Sequence, residues 1–175
     1  KLGPINILIN NAASGTDTEP LADSDPSSWA KVATTNMLGP YFMTRAFISQ
    51  LAYGAHIINV GSGNGHTPVV GRSAYGVGKA GLSMLTKCMA LELWDRGIRV
   101  NEFIPGPTAT RMLPWATHIE DEDDIAQQFA NLPSPENPSE TAKTAEAVAK
   151  HMLWLAETPP GGPTGQIYSL MRRPL

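Results

Sequence analysis

The sequence predicts a single-domain α/β fold in which a parallel sheet is covered by helices on both faces. Two observations predict it: short apolar runs alternate with longer stretches of helical periodicity, and these runs are continuous rather than interleaved with polar residues. Strands buried on both faces give such continuous runs, and strands joined through helices are parallel. The sequence shows no internal repeat and no linker, so residues 1–175 predict one domain with a sizeable core.

The first elements are a strand and a helix. Residues 5–9 predict a buried strand, because apolar residues follow one another there and turn residues flank them. Residues 27–51 predict a helix that starts after Asp25-Pro26, a capping residue followed by a proline suited to the first turn. We expect this helix to be interrupted near Gly39-Pro40, since proline removes a helical hydrogen bond.

The middle of the chain predicts two strands around a long helix. Residues 56–60 form an apolar run that ends in the glycine-rich segment 61–65. Residues 73–95 carry apolar side chains at helical spacing and stop before Gly97, a residue suited to ending a helix. Residues 98–104 predict a third strand, which the following prolines end.

The last third predicts one helix and one strand after an irregular segment. Residues 107–142 hold an acidic run and a cluster of prolines, and no period is visible in them. Residues 142–157 predict an amphipathic helix, and residues 166–170 predict the final strand.

Composition excludes several functional classes. Sixteen acidic residues outnumber thirteen basic ones, which gives a net charge of −3 at pH 7. Because no excess of Lys or Arg can neutralise phosphates, we expect no nucleic-acid partner. No apolar run approaches the ~18 residues of a membrane-spanning helix, and the first residues do not resemble a signal peptide. The single cysteine, Cys88, cannot form an internal disulfide, so we expect a cytoplasmic protein.

A glycine pattern in the long helix imitates a dinucleotide-binding motif. Residues 76–81 fit G-x-G-x-x-G, but that motif works in the turn between a strand and a helix, where backbone amides meet a pyrophosphate. Here the six residues lie inside a predicted helix. We therefore reject phosphate binding at this segment.

The same stretch holds a pair of residues suited to acid–base chemistry. Tyr75 and Lys79 are four residues apart, so a helix places them on one face about a turn apart. A free tyrosine has a pKa of ~10, too high for a general base near neutrality. An ammonium group at ~4 Å, with an effective dielectric constant of ~20, contributes ~4 kcal/mol, or about three pKa units before desolvation subtracts. The pair therefore predicts a tyrosine acid or base.

Further polar residues stand at the ends of predicted strands, where α/β sheets bind their ligands. With the Tyr75–Lys79 pair, their order and spacing resemble the short-chain dehydrogenase/reductase family over essentially the whole chain. The residues that carry this resemblance are Asn10-Asn11-Ala12-Ala13, Asn36, Ser62, Tyr75-Gly76-Val77-Gly78-Lys79, Ile98-Arg99-Val100-Asn101 and Pro105-Gly106 through Thr110.

The resemblance implies a role for each of four catalytic candidates. Tyr75 would pass a proton to a substrate carbonyl oxygen, or take it from the alcohol, while a hydride moves to or from a nicotinamide. Ser62 would orient that oxygen by a hydrogen bond. Lys79 would lower the tyrosine pKa and hold the nicotinamide ribose. Asn36 would anchor a water that relays the proton.

The resemblance also implies NAD or NADP as cofactor, and the sequence does not select between them. The cofactor-binding candidates are Asn11, Ala12, Ala13, Tyr75, Lys79, Pro105, Gly106, Thr108 and Thr110. Residues 107–142 would form the substrate loop or lid. The substrate-contact candidates, in and near that segment, are Asn64, His66, Met112 and Trp115. We identify no metal ligands.

The resemblance covers only part of the family fold, a Rossmann-like doubly wound parallel sheet. The chain would supply the C-terminal part, strands 4 to 7 with their helices. About 70–90 residues with the glycine-rich cofactor turn would be absent. We therefore expect residues 5–9 to form an exposed apolar edge, and the isolated chain to bind a dinucleotide weakly or not at all. Two smaller departures are Ala13 in place of glycine and Gly61 where a second serine is common.

Three functions are open at this point. The first is NAD(P)-dependent interconversion of a ketone and a secondary alcohol; a 3-oxoacyl thioester, a polyol or a sugar would fit as substrate. The second is a non-catalytic fragment that acts only as an association module, because the helices within 36–51 and 73–93 commonly pack against a second subunit in the resembled family, as a homodimer or homotetramer. The third, an epimerase or dehydratase, is disfavoured by the short C-terminal region.

Overall fold

A four-stranded parallel sheet forms the centre of the protein in the computed structural model. Strands β1 (Ile5–Asn10), β2 (Leu51–Val60), β3 (Arg99–Ile104) and β6 (Ile167–Ser169) lie side by side in that order, and each neighbouring pair is parallel. The arrangement confirms the predicted α/β class. The structure describes residues 3–15, 19–112, 128, 133–134, 137–171 and 175.

Among the described residues, the sheet is accompanied by the helices α1 (Pro26–Phe47), α2 (Ser73–Glu92) and α3 (Ala145–Ala156). The short 3₁₀ turns Gly63–Gly65 and Trp94–Arg96 follow β2 and α2. None of the helices in the described ranges is long and apolar enough to cross a membrane.

The helices cover both faces of the sheet, which explains its continuous apolar runs. Ile57 and Val100 pack with Met89 of α2, whereas Ile58 and Phe103 pack with Leu155 of α3. Successive strand residues point to opposite faces, so neighbours such as Ile57 and Ile58 enter two different cores. This two-sided burial explains the apolar pairs of neighbours in the strands, although β3 also buries the polar residues Asn101 and Glu102.

Helix α1 runs without interruption through Gly39 and Pro40, so the expected break is wrong. A proline in a helix normally strikes the backbone and the Cβ of the residue before it. Pro40 is buried in the interior of α1, and Gly39 before it has no Cβ for the proline ring to strike. The predicted start is confirmed, since the Asp25 carboxylate accepts a hydrogen bond of 2.7 Å from the Ser28 amide.

The boundary between α1 and β2 is also earlier than predicted. Helix α1 ends at Phe47, and β2 begins at Leu51 rather than at residue 56. Leu51 is buried and pairs with Ile5, and Gly54 in a left-handed conformation (φ +79°) lets the strand continue past an irregular register. No glycine or proline marks residues 48–50, so the sequence pattern hides this turn. The other predicted elements agree with the structure to within about a turn.

Part of the segment predicted to be irregular forms a short antiparallel pair, β4 (Pro133–Ser134) with β5 (Asn137–Thr141). Thr108 forms an isolated parallel bridge with Lys143. Most of segment 107–142 lies outside the described residues, so its role as a lid stays a prediction.

Strand β1 lies at the edge of the described sheet. Its side chains Ile7 and Ile9 are 44% and 41% exposed. The expected apolar edge is therefore present in the structure.

Candidate active site

A cavity of about 750 Å³ lies at the carboxyl ends of β1, β2 and β3. Ligands of open α/β sheets bind at this edge. Most of the candidate residues from the sequence line the cavity. They are Asn11, Ala13, Ser62, Asn64, Tyr75, Lys79, Pro105, Gly106, Thr108, Thr110 and Met112.

Three candidates are not among the described residues that line the cavity. Ala12 is exposed, Asn36 is fully buried, and His66 is directed at Glu102. A fourth, Trp115, lies outside the described residues.

Tyr75 lies in the first turn of α2 and is buried at the cavity wall. Ser62, which follows the end of β2, lines the same cavity as Tyr75. Burial raises the pKa of Tyr75 above its ordinary value of 10.0. The polar side chain of Ser62 and the positive charge of Arg72, 5.9 Å from the ring centroid, lower the pKa of Tyr75 and so act in the opposite direction.

Lys79 lies one helical turn after Tyr75, as the spacing predicts. Its ammonium group is 5.7 Å from the Tyr75 ring centroid and donates a hydrogen bond of 2.7 Å to the Val60 carbonyl oxygen. The side chain is 2% exposed, and burial lowers the pKa of Lys79 to about 8, while the charge of Glu102 opposes that shift. Lys79 is not among the groups that shift the pKa of Tyr75 in this structure, so its lowering of that pKa stays a prediction.

Asn36 holds the segment after β1 against α1. Its amide nitrogen donates to the carbonyl oxygens of Ser14, at 2.6 Å, and of Val32, at 2.9 Å. Its amide oxygen accepts a hydrogen bond from the Ser14 amide at 3.3 Å. Asn36 thereby fixes the loop that carries Asn11 and Ala13 into the cavity wall.

The glycines at 76–81 lie in the middle of α2, as predicted, and serve the contact between helices. A Cβ at Gly78 would lie 2.9 Å from the Cβ of Asn36, and a Cβ at Gly81 would meet the side chain of Met37. These glycines bring α2 close to α1 and so place Tyr75 beside the cavity. The structure agrees with the rejection of a phosphate-binding motif there.

Comparison with known proteins decides the family. Residues 1–120 match the short chain dehydrogenase family. This chain belongs to that family.

Two relatives and one solved structure give the scale of the similarity. An uncharacterised oxidoreductase of Schizosaccharomyces pombe is 34% identical over 160 residues, which are 90% of this chain and 59% of that protein. An NADPH-dependent aldehyde reductase of Arabidopsis thaliana is 33% identical over 64% of this chain and 39% of that protein. A dehydrogenase/reductase from Sinorhizobium meliloti aligns with a TM-score of 0.74 at 30% identity, over 95% of this chain and 62% of that one. The chain thus spans less than two thirds of the length of each.

Two buried acids of this short-chain dehydrogenase chain escaped sequence reasoning. Glu102 and Glu140 are each 1% exposed, and Glu140 lines the cavity. Glu102 could have been found from the sequence, because a carboxylate inside a strand that is predicted to be buried on both faces indicates a special role. Nothing in the sequence marks Glu140. In the described part of the chain, no group of three or more His, Cys, Asp or Glu side chains is placed to hold a metal ion.

An apolar wall on α3 was also missed. Val148, Ala149 and Met152 line the cavity on the side away from α2. Their spacing of one, three and four residues is helical and could have been recognised.

Proposed function

We propose that this chain carries the catalytic part of an NAD(P)-dependent oxidoreductase that interconverts a ketone and a secondary alcohol. The observation that supports this function best is that Ser62, Tyr75 and Lys79 line one cavity, with Lys79 one helical turn after Tyr75. Membership of the short-chain dehydrogenase family supports the same chemistry.

The chain's own residues supply the proton and the orientation of the substrate. A nicotinamide cofactor supplies or accepts the hydride when it is bound. The Ser62 hydroxyl donates a hydrogen bond to a carbonyl oxygen in the cavity, and the Tyr75 hydroxyl donates its proton to the same oxygen. Because burial raises the pKa of Tyr75, the residue keeps its proton at neutral pH, as a general acid must. The Lys79 ammonium stabilises the phenolate that forms.

The cavity wall fits the nicotinamide end of such a cofactor. Gly106 has a φ of +69°, a conformation that favours glycine, and a side chain there would crowd Lys143 and Met171. Gly106, Thr108 and Lys79 line the same cavity. We infer that Lys79, Gly106 and Thr108 hold the nicotinamide and its ribose. A relative that is named for NADPH makes NADPH the first cofactor to test.

The substrate class is narrowed by the lining of the cavity. Met112, Val148 and Met152 form apolar wall, whereas Asn64 and Arg72 supply polar groups near Tyr75. This lining favours a 3-oxoacyl thioester, which has a polar head and an apolar chain, over a polyol or a sugar.

Label transfer tests the proposed function. The protein, in a form shown to bind the reduced cofactor, is incubated with NADPH or NADH deuterated at the reactive carbon and with a panel of thioesters, sugars and cyclic ketones. We expect one deuterium on the carbon that bears the new hydroxyl group. If folded protein transfers no deuterium to any of the carbonyl compounds from either cofactor, the oxidoreductase function is rejected. The association module would then be the remaining function.

Association with a second copy is supported by exposed apolar side chains. Phe42 on α1, and Met84 and Leu91 on α2, are 57%, 61% and 80% exposed. We propose that these helices pack against their equivalents in a homo-oligomer. Sedimentation velocity of the protein and of Met84→Glu tests it: the variant should shift towards monomer, and a protein that is monomeric throughout contradicts it.

A further inference from the structure

A buried carboxylate lies directly behind the candidate catalytic residues. Glu102 belongs to β3, a strand whose residues are all buried, and its side chain is 1% exposed. It packs against Gly61 at the end of β2, the residue immediately before Ser62. A Cβ at residue 61 would overlap the carboxyl group, so the two positions are sterically coupled. Position 61 therefore favours glycine because the Glu102 carboxyl group occupies the space of a side chain, and not because of its backbone conformation.

This carboxylate is poorly satisfied by hydrogen bonds. Its Oε1 atom lies 3.4 Å from Nε2 of His66, which is long for a hydrogen bond. Its Oε2 atom is buried and has no hydrogen-bond partner within the described ranges. A buried charge of this kind is costly unless an opposite charge lies close to it.

The opposite charge is that of Lys79. Its ammonium group donates to the Val60 carbonyl, while the Glu102 carboxyl abuts Gly61, so the two charged groups contact adjacent residues at the end of β2. Both side chains are at most 2% exposed, which leaves little water to screen their attraction. The other ionisable groups described around the pair are Tyr75 and Arg72 on α2 and His66 after the 3₁₀ turn.

We propose that Glu102 is a positioning residue that keeps Lys79 charged and directed at the end of β2, and that Gly61 provides the space for its carboxyl group. This inference deepens the proposed function, on which its catalytic consequence rests. The electrostatics agree with this proposal. Burial lowers the pKa of Lys79 to about 8, and the charge of Glu102 opposes that shift. Without the carboxylate, burial alone would act, and Lys79 would lose its proton closer to neutrality.

Direct titration of Lys79 tests the inference without any need for turnover. Protein labelled with ¹³C at the lysine Cε is titrated by NMR, and Lys79→Arg assigns the resonance. Glu102→Gln keeps the shape and removes the charge, and we expect the Lys79 midpoint to fall by about one unit or more. Glu92→Gln, an exposed position on α2, is the matched control and should leave the midpoint unchanged. An unchanged midpoint in folded Glu102→Gln overturns the proposal.

A second pair of variants keeps the proposal testable if Glu102→Gln does not fold. Gly61→Ser should lower the thermal midpoint, and adding Glu102→Ala should restore much of it, because the serine then enters the vacated space. If the thermal midpoint falls equally in Gly61→Ser and in the double variant, the proposed steric coupling between Gly61 and Glu102 is overturned. In an active protein, Glu102→Gln should move the pH profile of turnover towards lower pH by the same shift as the Lys79 midpoint. A shifted Lys79 titration in a protein without turnover supports this proposal and rejects the proposed oxidoreductase instead.

Discussion

Replacing Gly78 by alanine measures how closely α1 and α2 approach. Alanine in a helix interior is favoured over glycine by ~1 kcal/mol. Its Cβ would lie 2.9 Å from the Cβ of Asn36 and 3.2 Å from the carbonyl oxygen of Ala33. Neither atom can rotate away, and overpacking of this kind costs ~1–3 kcal/mol. Because these contacts are rigid, the cost of overpacking lies near the upper end of that range. After the gain in helix propensity is subtracted, we expect Gly78→Ala to lower the free energy of unfolding by ~1–2 kcal/mol.

Chemical and thermal unfolding, followed by circular dichroism, provide the assay. In a protein of this size a loss of 1 kcal/mol lowers Tm by roughly 2–4 °C. Val77→Ala, at the neighbouring exposed position, is the control and should not destabilise the protein. A more stable Gly78→Ala variant would refute the close approach of the helices. Unchanged stability with lost cofactor binding would refute our rejection of the phosphate-binding motif.

Two further predictions concern His56 and Asn36. Burial lowers the pKa of His56 from 6.5 to about 4. Between pH 4 and 6.5 the imidazole of His56 is therefore protonated in the unfolded chain but not in the folded one. The free energy of unfolding should therefore fall by up to ~3 kcal/mol as the pH drops from 6.5 to 4; urea unfolding across this range should show it, and an equal fall in His56→Gln would contradict it. Asn36→Ala leaves the amide and carbonyl groups of Ser14 without that partner and should cost ~1–3 kcal/mol. Exchange of the Ser14 amide hydrogen should accelerate, whereas it should be unchanged in Asn6→Ala, at an exposed position of β1.

The fold was predictable where local patterns and long-range packing agree. Continuous apolar strands and capped helices give the element order and the parallel sheet, because each signal lies within one segment. The helix through Pro40 was not predictable from the local sequence, because proline by itself disfavours a helix interior and Gly39 relieves only one of the steric conflicts. The early start of β2 was hidden because Leu51 is placed by pairing with Ile5, a contact far away in sequence.

The residues of the candidate site were likewise predictable where they lie close together in the sequence, and not where they come from different strands. Tyr75 and Lys79 share one helix, so their relation follows from spacing, and Ser62 follows from its place at a strand end. The pairing of Glu102 with Gly61 depends on the register between two strands, which spacing within either strand does not reveal. His66 lies 3.4 Å from the Glu102 carboxylate, and its contact with a substrate stays a prediction.

The most direct test of the proposed function is carbonyl reduction by Tyr75→Phe beside Tyr53→Phe. Tyr53 is 85% exposed, so its variant loses the same hydroxyl group away from the cavity. In a form of the protein that binds the reduced cofactor, we expect Tyr75→Phe to fold, to bind that cofactor as the parent does, and to reduce the carbonyl about 10²–10⁴-fold more slowly. Tyr53→Phe should retain the parent rate. Equal rates in Tyr75→Phe and the parent would contradict the assignment of Tyr75 as the proton donor.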